Sequence, residues 1–176
     1  MGRTEEDDRR GTGGGVVTDP RATGLQVVTM VVAGAGVVLA AYLTWVHYDI
    51  SALVCRVGDC HTVQASQYAM VGAAPVALLG AGMYAAVLAT QIVARVRPHV
   101  AFAMSAVAFA IALAGTLYAA YLTWLEVAVI HAICQWCVAS AVLTVTLLAL
   151  TSAMIWRMFA SSGADDETGV PRAASW

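Results

Sequence analysis

Four stretches of this chain carry no charged side chain: Leu25 to Val46, Gly72 to Ala94, Val100 to Leu125 and Ala132 to Trp156. Each has at least the roughly 20 residues that a helix needs to cross a bilayer. Inside lipid every backbone N–H and C=O must find its partner within the protein, which leaves helices or closed barrels. Runs of this length predict helices. The expected fold is therefore an all-α membrane protein: a four-transmembrane-helix bundle, with an outer loop or short helix carrying a second cysteine pair. Composition agrees, since 11% of the residues are charged where a soluble domain has about 25%. The net charge of −2, the absence of lysine and the lack of a basic stripe exclude nucleic acid as a partner.

Between the spans the chain is short and polar. Residues 1–23 hold the cluster Glu5 to Arg10 and a glycine run, and read as a disordered cytoplasmic tail. The head is too acidic, and the apolar run after it too long, for a signal peptide. Residues 24–157 form the membrane domain, and residues 158–176 read as a second disordered tail. His47 to Gln67 is a polar loop that leads into a short amphipathic helix around Val63 to Met70. Pro75 suits a helix start, where its missing N–H costs nothing. Arg3, Arg9, Arg10, Arg21, Arg95, Arg97 and Arg157 fall on one side of the four spans, with Arg172 further out in the tail, and only Arg56 on the other. The positive-inside rule then makes both tails cytoplasmic in a multi-pass cell-membrane protein.

That orientation places all four cysteines outside. Cys134 and Cys137 lie three apart at the start of the fourth span. A helix N-terminus offers unpaired N–H groups and partial positive charge, which stabilise a thiolate. A C-x-x-C pair can also be half a zinc site or a structural disulfide. Cys55 and Cys60 lie on the outer loop. A weak repeat links the two pairs: Ala40 to Trp45 (AAYLTW) recurs as Ala119 to Trp124, and the same offset carries Gly36 onto Gly115 and Cys55 onto Cys134. A parallel repeat of this kind brings both pairs to the top of one bundle. Disulfide exchange between a mobile loop pair and a helix pair then becomes possible. Cys134, expected to be the more exposed, suits the attacked sulfur. Cys137, nearly a turn deeper, suits contact with a lipid-soluble acceptor. No haem or iron–sulfur ligand set is present in the spans, so a membrane quinone, menaquinone or ubiquinone, is the natural one. Glu126 and His131 are candidate proton carriers, with His61 a weaker one. Trp45, Trp124 and Trp136 fit an interfacial aromatic belt. Gly34, Gly36, Gly80 and Gly82 fit close helix approach.

The combination Cys55-x4-Cys60, Val63, Ser66, Tyr68-Ala69, Gly72, Pro75, Gly80 and His131-Ala-Ile-Cys134-Gln-Trp-Cys137 resembles the vitamin K epoxide reductase family in its bacterial branch. The resemblance implies a four-helix bundle around a quinone, with Cys134/Cys137 as the active pair and Cys137 nearest the quinone. It implies that Cys55/Cys60 take electrons from a thioredoxin-like partner outside the membrane, and that Ser66 lies at the catalytic centre, against an alternative role as N-cap of the short helix. Some relatives carry a fused thioredoxin-like domain, and this chain has no room for one, so the expected partner is a separate protein. Ala141 stands where animal members have a tyrosine. Three functions stay open at this point: a thiol oxidase, a quinone or quinone-epoxide reductase, and a non-enzymatic scaffold with structural disulfides.

Overall fold

The computed structural model describes residues 20–49, 51 and 53–167, with backbone alone at 20–22 and 161–167. Of the tails expected to be disordered, 1–23 and 158–176, residues 20–23 and 158–167 are helical, and the remainder of both lies outside the described residues. Among the described residues five α-helices are formed: α1 (Pro20–Tyr48), α2 (Cys60–Ala65), α3 (Val76–Val96), α4 (Ala101–Leu125) and α5 (Gln135–Glu167). A two-stranded hairpin, β1 (Met70–Val71) and β2 (Ala74–Pro75), precedes α3, paired Met70 to Pro75 and Val71 to Ala74. Its turn uses Gly72 at φ 63°, a conformation that glycine adopts without strain.

The four long helices are apolar and long enough to cross a membrane, over Thr23–Tyr48, Val76–Val96, Pro98–Ile130 and Gln135–Ala160. Each packs against two others: α1 on α3 and α5, α4 on α3 and α5. The sequence places these spans within a few residues. Two ends differ. The fourth helix runs on past Trp156 and Arg157 to Glu167, because a single arginine at a membrane edge does not break a helix. The short helix is Cys60–Ala65 rather than Val63 to Met70, and a 3₁₀ turn, Gln67–Ala69, follows it.

The bundle core is made of small side chains around one large one. Ala33, Ala40, Val87, Ala108, Ala112 and Leu147 surround Tyr84, all of them buried. Lipid supplies no hydrophobic drive between helices, so close packing of small residues holds them. Two glycines set the approach. A Cβ at Gly36 would overlap the Tyr84 ring, and one at Gly115 would come within 2.6 Å of Met83 Sδ. Successive residues of α3 thus sit in glycine notches of the two repeat-related helices, α1 and α4. The other glycines expected at contacts behave differently. A Cβ at Gly34 or Gly82 meets nothing within 4 Å, and one at Gly80 would make ordinary contact with Ala40.

The end of the bundle away from the cysteines holds a buried polar layer of Thr29, Gln91, Ser105 and Thr151. Thr29 bonds the Leu25 carbonyl at 2.9 Å, and Thr151 the Leu147 carbonyl at 2.8 Å. Among the described residues, the Gln91 side-chain amide and the Ser105 hydroxyl have no hydrogen-bond partner.

Candidate active site

Cys134 is the residue immediately before α5, and its carbonyl accepts from the Val138 N–H at 3.1 Å, closing the helix's first turn. Cys137 follows inside that turn. Both are free thiols. Across from them, Cys55 and Cys60 form a disulfide with a Cα–Cα distance of 6.1 Å. Cys60 is the first residue of α2. Asp59 caps that helix, accepting from the Thr62 N–H at 3.1 Å and its hydroxyl at 2.6 Å. These bonds hold the Asp59 carboxyl below its ordinary range. With Cys55 and Cys60 bonded to each other, the four-thiolate zinc set that the sequence left open is not assembled in this state.

The loop is fastened onto the start of α5. Gly58 pairs with Cys134 as an isolated antiparallel bridge, and the Asp59 N–H bonds the Ile133 carbonyl at 3.0 Å. Gly58 has φ 82°, and a Cβ there would overlap the Ile133 carbonyl oxygen, so both backbone and space demand glycine. The residues between the helix cysteines complete the clamp. Gln135 accepts from the Val57 N–H at 3.0 Å and donates to the Val54 carbonyl at 3.3 Å. Trp136 Nε1 donates to that same carbonyl at 2.8 Å. The Val54 N–H donates to the Tyr42 hydroxyl at 3.1 Å, and the Tyr42 and Trp136 rings meet edge to face at 5.3 Å. Trp45 and Trp124 are exposed, as belt residues are; Trp136 is a clamp instead.

Beneath this roof Cys60 and Cys134 share one buried cluster with Val46, Leu53 and Val63. Both cysteines are 0% exposed. Cys55 and Cys137 are half-buried. This reverses one expectation. Cys134 is not the more exposed of the helix pair, because the docked loop covers it while Cys137 borders a cavity. A hydrogen bond from the Cys137 thiol, helped by the backbone N–H groups of residues 137 and 136, holds the Cys134 thiol down to about 7 from an ordinary 9.0, against the opposing effect of burial.

Glu126 opens a π-helical turn, Glu126–Ile130, that ends α4. π-turns of this kind mark functional sites more often than plain helix does. Its side chain is buried, and its Oε2 accepts from the Cys134 N–H at 3.2 Å. Its carbonyl accepts from Ala132 N–H at 3.1 Å. His131 closes the turn in the left-handed conformation at φ 54° and is exposed. His61 is exposed as well.

A cavity of about 320 Å³ opens below Cys137 inside the bundle. Cys137, Glu126 and Ser66 border it, and His131 and His61 do not. Ser66 is the C-cap of α2 and stands at the N-cap position of the 3₁₀ turn that follows: its hydroxyl donates to the Val63 carbonyl at 2.7 Å and makes no capping bond to that turn. The cavity walls are mainly apolar, from residues such as Leu43, Leu79 and Leu122. At its floor stand Tyr84, Ser140 and Thr144. The sequence reading did not single out these three, nor Gln135. Tyr84 looks like packing in an apolar helix. Ser140 carries a signal that could have been used, since it lies one turn after Cys137 on the same helix.

The model of the vitamin K epoxide reductase family matches residues 27–152, which takes in all four cysteines, Glu126, Ser66 and most of every span. The chain belongs to the vitamin K epoxide reductase family. No curated protein matches it. Vitamin K epoxide reductase family members are membrane oxidoreductases whose chemistry links disulfides to quinones, and a disulfide beside a free thiol pair is the equipment for it. The cavity fits a quinone by its own chemistry. Its walls are apolar, it borders one thiol of the free pair, and polar atoms are confined to a few points, as ligand pockets for flat carbonyl compounds require. Cys137 and Ser66 would border that ring when bound, and the group would supply a two-electron acceptor within the bilayer.

Proposed function

We propose that this protein is a membrane thiol oxidase that draws electrons from a separate, extracytoplasmic thioredoxin-like partner and delivers them to a membrane quinone, menaquinone or ubiquinone, thereby supporting disulfide-bond formation. The observation that carries the reading is the graded burial of four sulfurs at one end of the bundle: Cys55 half-exposed, Cys60 and Cys134 sealed together, Cys137 on the cavity.

The steps balance as thiol–disulfide exchange. A partner thiolate attacks Cys55 Sγ, and Cys60 leaves as the thiolate. The partner's second thiol displaces Cys55, so the partner departs oxidised and the loop pair is reduced. The Cys60 thiolate next attacks Sγ of Cys134 in a Cys134–Cys137 disulfide, and Cys137 leaves toward the cavity. Cys55 resolves the Cys60–Cys134 bond. This restores the loop disulfide and leaves Cys134 and Cys137 as a dithiol, the state described here. A quinone held in the cavity beside Cys137 would supply the acceptor for the two electrons and two protons that this dithiol gives up as the Cys134–Cys137 disulfide re-forms. The acidic Cys134 thiol favours the transfer from the loop pair to the helix pair, because stabilising the reduced form of a pair makes its disulfide the stronger oxidant.

In this reading Glu126 handles protons at the thiols, since its carboxyl is buried beside the Cys134 backbone and on the cavity wall. Exposed His131, at the end of the same turn, exchanges them with water. Ser66 holds the rim of the ring site. The arginine distribution supports cytoplasmic termini and extracytoplasmic cysteines.

The test is turnover in proteoliposomes, with a reduced thioredoxin-fold protein and a soluble quinone. Cys137→Ala is expected to abolish quinone reduction while the loop pair still exchanges with the partner. Full activity in that variant overturns the oxidase reading.

A further inference from the structure

The floor of the cavity carries a hydroxyl arrangement that the sulfur chemistry does not use. The Tyr84 hydroxyl donates to the Ser140 carbonyl at 2.9 Å, and Thr144 Oγ1 donates to that carbonyl at 2.8 Å. Tyr84 Oη also lies 2.8 Å from Thr144 Oγ1 and 3.0 Å from Ser140 Oγ. A carbonyl oxygen can only accept. With the tyrosine and threonine protons committed to it, the Ser140 proton is the one left free. It can point at Tyr84 Oη or turn into the cavity. Tyr84 and Thr144 are 1% and 3% exposed, whereas Ser140 is half-buried. Tyr84 is also fixed, its ring held in the Gly36 notch.

Ser140 lies three residues beyond Cys137, a rise of about 4.5 Å along α5. The cavity therefore has a polar group at each end: Glu126 beside Cys137 at the roof, and the Ser140 hydroxyl backed by Tyr84 at the floor. A para-quinone has an oxygen at each end of its ring. We propose that Ser140 is a ring-binding residue that donates a hydrogen bond to the quinone carbonyl remote from Glu126, and that Tyr84 is a positioning residue that aims it. This deepens the oxidase reading and rests on it: the floor selects quinones whose two oxygens lie across the ring rather than side by side.

The experiment compares wild type, Ser140→Ala, Ser140→Thr and Tyr84→Phe in proteoliposomes, with para- and ortho-naphthoquinone as acceptors. A neutral hydrogen bond contributes about 1 kcal/mol, so its loss is expected to raise KM for the para-quinone about fivefold. That rise is expected in Ser140→Ala and Tyr84→Phe, with kcat nearly unchanged and with Ser140→Thr close to wild type. The preference for para over ortho is expected to fall by a similar factor. Reduction of the Cys134–Cys137 disulfide by the partner, read without quinone, is expected to stay at the wild-type rate, which a general packing defect would not allow. An unchanged KM and an unchanged para preference in both Ser140→Ala and Tyr84→Phe overturns the proposal. A wild-type protein that turns over no quinone at all overturns the oxidase reading itself.

Discussion

At Cys134, burial and hydrogen bonding act on one sulfur in opposite directions, and hydrogen bonding wins. The sign for pH follows. A thiol whose ionisation falls from 9.0 to about 7 adds stability that is complete above about pH 9 and is lost as pH drops through about 7. Thiolate absorbance of the reduced protein is expected to show one cysteine titrating near pH 7, absent in Cys134→Ser. Cys137→Ala removes the largest cause of the shift, so the Cys134 titration is expected to move upward in that variant. Gly58 is the second residue to test. Gly58→Ala places a side chain at a left-handed φ and against the Ile133 oxygen, a strain of about 1–2 kcal/mol before the clash is counted. The loop is then expected to lift from α5. A small alkylating reagent would reach Cys134 at least tenfold faster, and partner-driven turnover would fall.

The elements show what sequence can and cannot tell. Uncharged length marks a span, so all four membrane helices were legible, as were the cysteines at their shared end. Helix ends were less so, because charge marks the membrane edge and not the last turn; α5 passes Arg157 without a break. The short helix was misplaced because Ser66 ends it, bonding back to the Val63 carbonyl through both its N–H and its hydroxyl. The loop clamp was illegible, since nothing about Gln135 or Trp136 as residue types says that they reach a loop some eighty positions earlier. Tertiary pairing decides those roles. Within α3, Gln91 is a buried amide without a protein partner among the described residues. Such a group costs about 1–3 kcal/mol. Gln91→Met is expected to raise the thermal unfolding temperature in detergent, while leaving turnover at the distant cysteine end as it was.

Taken whole, the molecule carries a weak sequence repeat whose matching residues serve different ends. The repeat that aligns Gly36 with Gly115 gives two notches, which receive neighbouring side chains of α3, Tyr84 and Met83. Gly115→Leu is expected to displace Met83 into the cavity and weaken quinone turnover more than partner exchange, a split that single-turnover measurements of each half-reaction would read. The same repeat aligns Cys55 with Cys134, yet one is half-exposed and the other sealed. That asymmetry amounts to insulation. A conductor with a single outward terminal has no side entrance: thiols in the surrounding medium meet Cys55 first, and Cys134 is reached only along the covered route.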